Sequence, residues 1–221
     1  MNRTKLLFLL LLFLVLPVTV FAQPKIKVAC VGNSITFGYG LKPEEAYPAQ
    51  LQILLGDKYE VHNYGNSART LLSKGNLPYI REKEYSDALA LNPDIVVIKL
   101  GTNDSKPMNW KFQGDFIADL TAMVKRFKQL SSHPKIYLCY PIPVFAHAPH
   151  FHPEWGINDS IIANGIIPKI RSVQKKTHVR LIDLRKPFLG HEELVFDGIH
   201  PNADGAKALA NEVYKQLTTN H

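Results

Sequence analysis

The chain has 221 residues, 46% of them hydrophobic and 20% charged, with 13 glycines, 15 prolines and two cysteines. That is enough apolar chain for a substantial core, and it excludes a disordered tail, a collagen-like repeat and a disulfide-stapled mini-domain. The formal charge is +7, yet Lys and Arg are scattered without a basic stripe, so no nucleic-acid partner is expected.

Residues 1–22 read as an export leader. Arg3 and Lys5 form a short positive segment, Leu6 to Leu16 is unbroken apolar sequence, and Ala22 supplies the small residue before a cut that leaves Gln23 first. The run is shorter than the ~20 residues that cross a bilayer. A weaker apolar extension to Phe21 keeps an uncleaved anchor as the alternative. The expectation is a secreted or periplasmic protein with no membrane insertion after cleavage, and one domain over residues 23–221.

The elements then follow in alternation. Ile26–Val31 is a β-branched strand candidate and ends in Gly32-Asn33-Ser34. Tyr47, Leu51, Leu54 and Leu55 recur at helical spacing. A second strand, Tyr59–Asn63, closes in Tyr64-Gly65-Asn66-Ser67. The third, Ile95–Leu100, is apolar on both faces, as a covered parallel strand should be, and closes in Gly101-Thr102-Asn103-Asp104. Phe116, Leu120, Met123, Val124 and Phe127 mark a helix before the fourth strand, Lys135–Tyr140. An irregular stretch from Pro141 to Gly156 is Pro- and His-rich, and a loop that long is usually functional or disordered. After a fifth strand, Val179–Leu184, comes Asp197-Gly198-Ile199-His200, and Pro201-Asn202 opens the last helix. Cys30 and Cys139 sit inside strand candidates and read as buried thiols.

Strands alternating with helices imply a single-domain α/β doubly wound, flavodoxin-like sandwich around a five-stranded parallel sheet. In such sheets ligands bind beyond the carboxyl ends of the strands. The polar turns after the first three strands converge on that edge. Each alone is a plain turn or helix cap. Ser34 as nucleophile, His200 as base and Asp197 three residues before it as orienter make a joint reading. No Walker or dinucleotide spacing is present, which disfavours nucleotides.

These blocks resemble the GDSL-type esterase and lipase family, the SGNH hydrolases, from about Ile26 to Leu217. The family's Ser, Gly, Asn and His fall here on Ser34, Gly65, Asn103 and His200, with Asp197 as the triad acid. Two departures stand out: Asn33 replaces the usual Asp before the serine, and Asn66-Ser67-Ala68 replaces the usual Ser-Gly. The second leaves the glycine's role open between Gly65 and its neighbours. The resemblance implies an SGNH hydrolase fold and acyl-ester hydrolysis without a metal or cofactor. It also implies an oxyanion hole built from Ser34, Gly65 and Asn103.

Lys99 to Pro107 and Trp155 to Asp159 are similar to bacterial sialate O-acetylesterases and acetyl xylan esterases, which implies a small-molecule or glycan acetyl ester as substrate. Asn33, Asp104, Trp110, His150 and Trp155 are the residues expected to contact it. The tract His147 to His152 lacks the Cys or carboxylate cluster of a metal site. Two alternatives stay open: a lipase, lysophospholipase or thioesterase with the same triad, and a non-catalytic carbohydrate-binding module.

Overall fold

The computed structural model describes residues 23–219; the expected leader lies outside them. Five parallel strands form one sheet: β1 Ile26–Gly32, β2 Tyr59–Gly65, β3 Ile95–Lys99, β4 Lys135–Cys139 and β5 Arg180–Ile182. Their order is β2-β1-β3-β4-β5, the doubly wound, flavodoxin-like arrangement. Each strand expected from sequence is present. β5 is shorter than its apolar run, because Val179 and Leu184 pack as buried flanks outside the ladder.

Among the described residues, eight α-helical segments lie between and after the strands: α1 Ser34–Phe37, α2 Tyr47–Leu55, α3 Lys83–Ala90, α4 Pro107–Trp110, α5 Phe116–Lys128, α6 Asp159–Ile161, α7 Ile167–Thr177 and α8 Ala203–Thr218. The period-two alternation of strand side chains splits the core in two. Cys30, Val97, Tyr137 and Cys139 point to the layer holding Tyr47 and Leu51 of α2 and Leu209 and Val213 of α8. Val31, Val96, Ile98 and Leu138 point to the opposite layer, against Phe116 and Val124 of α5 and Ile170 and Val173 of α7. β3 is buried along its whole length, which explains its unbroken apolar sequence. Both cysteines are free and buried; burial pushes the Cys30 thiol up to about 12.

Among the described residues no helix is long and apolar enough to cross a membrane. The strand order reverses between β1 and β3. The crevice outside their carboxyl ends is therefore where the topology leaves room for a ligand.

Candidate active site

β1 delivers its last residues into a turn with almost no free space. A Cβ on Gly32 would lie 2.0 Å from Thr36 Oγ1, so this position accepts only glycine. Asn33 Oδ1 accepts from the Ile35 N–H at 3.2 Å and caps α1. The fully buried Lys99 ammonium also donates to that oxygen, at 3.5 Å; burial pulls its pKa down to about 7. Asn33 is itself fully buried, so the expectation that it contacts substrate is corrected: it fixes the turn from beneath. Ser34 begins α1 and keeps 8% exposure, opening on the crevice.

The turn before α8 brings the other partners. Asp197 Oδ1 accepts from the backbone N–H groups of Ile199 at 2.9 Å and His200 at 2.7 Å. Its second oxygen lies 2.7 Å from His200 Nδ1, and His200 Nε2 lies 2.9 Å from Ser34 Oγ. With Nδ1–H donated to the carboxylate, the Nε2 lone pair faces the serine hydroxyl. Burial alone would raise the Asp197 carboxyl. The His200 ring and the two amides outweigh it and hold the group below its ordinary range. Local hydrogen bonds thus build a continuous Asp–His–Ser chain across residues distant in sequence.

The opposite wall comes from the turns after β2 and β3. Asn103 Nδ2 donates to Arg69 O at 3.1 Å, and its own carbonyl accepts from Asn109 Nδ2 at 2.9 Å. Asp104 is fully buried and accepts from the amides of Leu71 at 3.0 Å and Leu72 at 2.8 Å. Together they splice one turn to the other. Asp104 was expected at the substrate; its carboxylate instead faces inward and ties down the segment that carries the wall.

That segment changes the assignment at Gly65. The Gly65 N–H donates to Asn63 Oδ1 at 2.9 Å, and a Cβ there would meet Phe37 N at 2.0 Å. Gly65 is retained for close packing behind α1 and does not line the crevice beside Ser34. Ala68 does, with φ +66°. Among the described residues its N–H has no protein acceptor, and neither has the Ser34 N–H. The left-handed region costs an L-residue roughly 1–2 kcal/mol. At Ala68 that conformation coincides with a free amide on the wall of the site. The only sequence signal was Ala standing where the family has glycine.

The crevice between these walls encloses about 200 Å³. Tyr39, Ser67, Trp155, Lys106 and Ile157 complete its lining. The Tyr39 ring lies 4.5 Å from the His200 ring, and Trp155 meets His200 edge-on at 5.8 Å. Trp155 therefore stands where sequence placed it. Tyr39 and Lys106 were missed, because nothing local distinguishes a Tyr after a helix-ending glycine or a Lys before Pro107.

Two further expectations are corrected. Trp110 packs edge-on against Phe116 at 6.3 Å and covers Gly165, where a Cβ would lie 2.5 Å from its ring, so it belongs to the core margin. His150 is an exposed loop residue with φ +63° and does not line the crevice. The 141–156 stretch is anchored rather than lid-like: Phe145 N–H donates to Gly198 O at 2.8 Å and Val144 N–H to Asp159 Oδ1 at 2.9 Å. His147 and His152 each pair with a glutamate, Glu192 and Glu154. Among the described residues no cluster of three His, Cys, Asp or Glu side chains is placed to hold a metal ion.

The sequence pattern of the GDSL-like lipase/acylhydrolase family matches residues 30–208, a span holding every residue of the Ser34 chain. The chain belongs to that family. It is 46% identical over 208 residues to an acetylxylan esterase of Xylanibacter ruminicola. That match covers 85% of this chain but only 42% of the longer relative.

Among solved structures, an acetyl xylan esterase superposes with TM-score 0.67 at 24% identity, covering 87% of this chain and all of that one. A carbohydrate acetylesterase from Sinorhizobium meliloti gives 0.66 at 21%, covering 87% and 98%. The native aryl esterase of M. smegmatis gives 0.64 at 22%, covering 88% and 98%. At these identities the likeness speaks for a shared fold.

Proposed function

We propose that this family member is a serine esterase that removes acetyl groups from a carbohydrate. The observation that carries the reading is the unbroken hydrogen-bonded chain Asp197–His200–Ser34, facing free amides across a small crevice. Ser34 Oγ attacks the acetyl carbonyl as its proton passes to His200 Nε2, while Asp197 stabilises the imidazolium. The oxyanion is met by the N–H groups of Ser34 and Ala68 and by the Asn103 side-chain amide. Collapse of the tetrahedral species breaks the bond between the acyl carbon and the sugar oxygen, and His200 gives its proton to that leaving oxygen. Water, deprotonated by His200, then attacks the acetyl-serine; acetate leaves and Ser34 recovers its proton.

The small size of the crevice supports an acetyl preference, as does a lining that is mainly aromatic and polar, with Ile157 its one large aliphatic side chain. The acetylxylan esterase likeness points to the same substrate class. A lipase would need an aliphatic channel for its acyl chain, and Tyr39 and Trp155 offer sugar-stacking faces instead. The apolar run and Ala22 within residues 1–22, read as an export leader, support action outside the cytoplasm; N-terminal sequencing of exported protein should begin at Gln23.

The deciding experiment compares wild type with Ser34→Ala on p-nitrophenyl esters of increasing chain length, with acetate release measured from acetylated xylan and O-acetylated sialic acid. Turnover should fall by a factor of about 10⁴ or more in Ser34→Ala with circular dichroism unchanged, and acetyl should be the best acyl group. Full activity in Ser34→Ala removes the nucleophile assignment, and octanoate as the best ester with no acetate from either glycan makes the protein lipolytic.

A further inference from the structure

The side chains lining the crevice carry a single cationic group apart from His200, the ammonium of Lys106, and no carboxylate. Lys106 is half-buried on the turn between Asn103 and α4. Among the described residues its side chain has no hydrogen-bond, ionic or ring partner. Its pKa is lowered by burial, and no neighbouring charge offsets that loss of solvation.

No lining residue is an acid, and acids on the segments that border the crevice already have partners of their own. Glu82 pairs with Arg69, Glu154 with His152, Asp159 with Arg185 and Asp197 with His200. Asp104 faces the amides of Leu71 and Leu72. A lysine can lay its stem on a protein wall and keep its head in water at little cost. Lys106 lines the crevice, so a bound acyl acceptor displaces water beside its half-buried side chain. Desolvating an ammonium without an anion is costly; supplying one gives a charge-assisted hydrogen bond.

We propose that Lys106 is a specificity-determining residue that pairs with a carboxylate on the acyl acceptor, so that the preferred substrates are acetyl esters of acidic sugars rather than neutral ones. A lone lysine suits a monoanion; a phosphate dianion would call for further donors, such as an arginine fork, and the crevice lining has none. The inference rests on the esterase reading above for the placement of the ester.

The test uses matched pairs of acetylated methyl glucuronide and methyl glucoside, compared at each acetyl position. Wild type should favour the best acidic ester by about tenfold to a hundredfold in kcat/KM. Added salt should narrow the gap. The ratio should fall to near one in Lys106→Met, persist in Lys106→Arg and invert in Lys106→Glu. A second measurement, calorimetric Kd for each pair on Ser34→Ala, should show the same preference without turnover.

A wild-type ratio near one together with equal Kd values overturns the inference, even if every ester is hydrolysed. So does a preference that survives unchanged in both Lys106→Met and Lys106→Glu. Failure of wild type to hydrolyse any ester overturns the esterase reading instead, and the Kd comparison still decides Lys106.

Discussion

The two sides of Ser34 are built on opposite plans. Toward His200, the imidazole nitrogens, both Asp197 oxygens and the serine hydroxyl all have protein partners. Toward Asn103, the Ser34 and Ala68 amides are left without protein acceptors among the described residues. Under the proposed esterase reading, the difference teaches what each side is for. A base must be oriented before substrate arrives, so its hydrogen bonds are closed in the free protein. A wall that stabilises developing charge must keep donors open until the oxyanion forms, and the surrounding structure has to hold them there.

The largest expected effect comes from breaking the support of the open side. Gly65→Ala would drive a Cβ to within 2.0 Å of Phe37 N, against backbone that cannot rotate away. The variant should lose about 3 kcal/mol or more of stability, or fail to accumulate as folded protein. Urea unfolding checks this. Near-wild-type stability would mean that the β2 turn is looser than its packing indicates.

On the closed side, Asp197→Asn should lower kcat by a factor of about 10⁴, because an amide cannot stabilise the imidazolium and favours the wrong tautomer. The same variant alters acid stability. The Asp197 carboxyl is held below its ordinary value, so it contributes stability above that value and loses it as pH falls through the depressed one. Acid unfolding of Asp197→Asn should therefore be less steep than that of wild type. Equal activity, or an unchanged acid limb, would detach Asp197 from the role given to it.

Back on the open side, Asn103→Ala should cut kcat by about 10²–10³ with a smaller change in KM, since its amide acts where charge develops. It also removes the bond to Arg69 O, so thermal unfolding must be read beside the kinetics. A large rise in KM with kcat intact would make Asn103 a ground-state contact.

Legibility in the sequence follows the same division. The closed side is local chemistry: Ser34 sits one residue after a helix cap, and Asp197 and His200 share one turn, so strand ends and spacing sufficed. β1, β3 and β4 were equally plain, because apolar runs buried on both faces leave no other reading, whereas the edge strand β2 is only partly buried. The open side depends on which turn residue faces which neighbour, and one-dimensional pattern carries no such information. Gly65 was assigned to the wall because it falls on the family's glycine block, when packing against Phe37 is what requires it.

Asn33 and Asp104 stand beside Ser34 and Asn103 in sequence, yet both are turned inward and bear on the site only through backbone they hold. Tyr39 enters the crevice by the path of the chain after Gly38, and Trp110 leaves it because the helical segment around Gly165 offers its ring a seat. Proximity in sequence placed residues near the site; burial decided which of them reach it.

The smallest expected effect isolates the strained donor. Ala68 holds φ +66°, where a Cβ crowds the backbone and glycine is at ease. Ala68→Gly removes that crowding in the folded state but adds freedom to the unfolded chain, and the two changes oppose each other. The net change in stability should lie within about 1 kcal/mol. The amide survives the substitution, so a donor fixed by its surroundings should keep kcat near wild type. The ties that would fix it are the two Asp104 bonds to Leu71 and Leu72 and the Asn103 bond to Arg69. Urea midpoints measure the first quantity and p-nitrophenyl acetate turnover the second. If Ala68→Gly loses kcat as severely as Asn103→Ala while remaining folded, the Ala68 methyl group, and not only its N–H, is part of the wall, and the rigidity assigned to those ties has to be reassigned to that side chain.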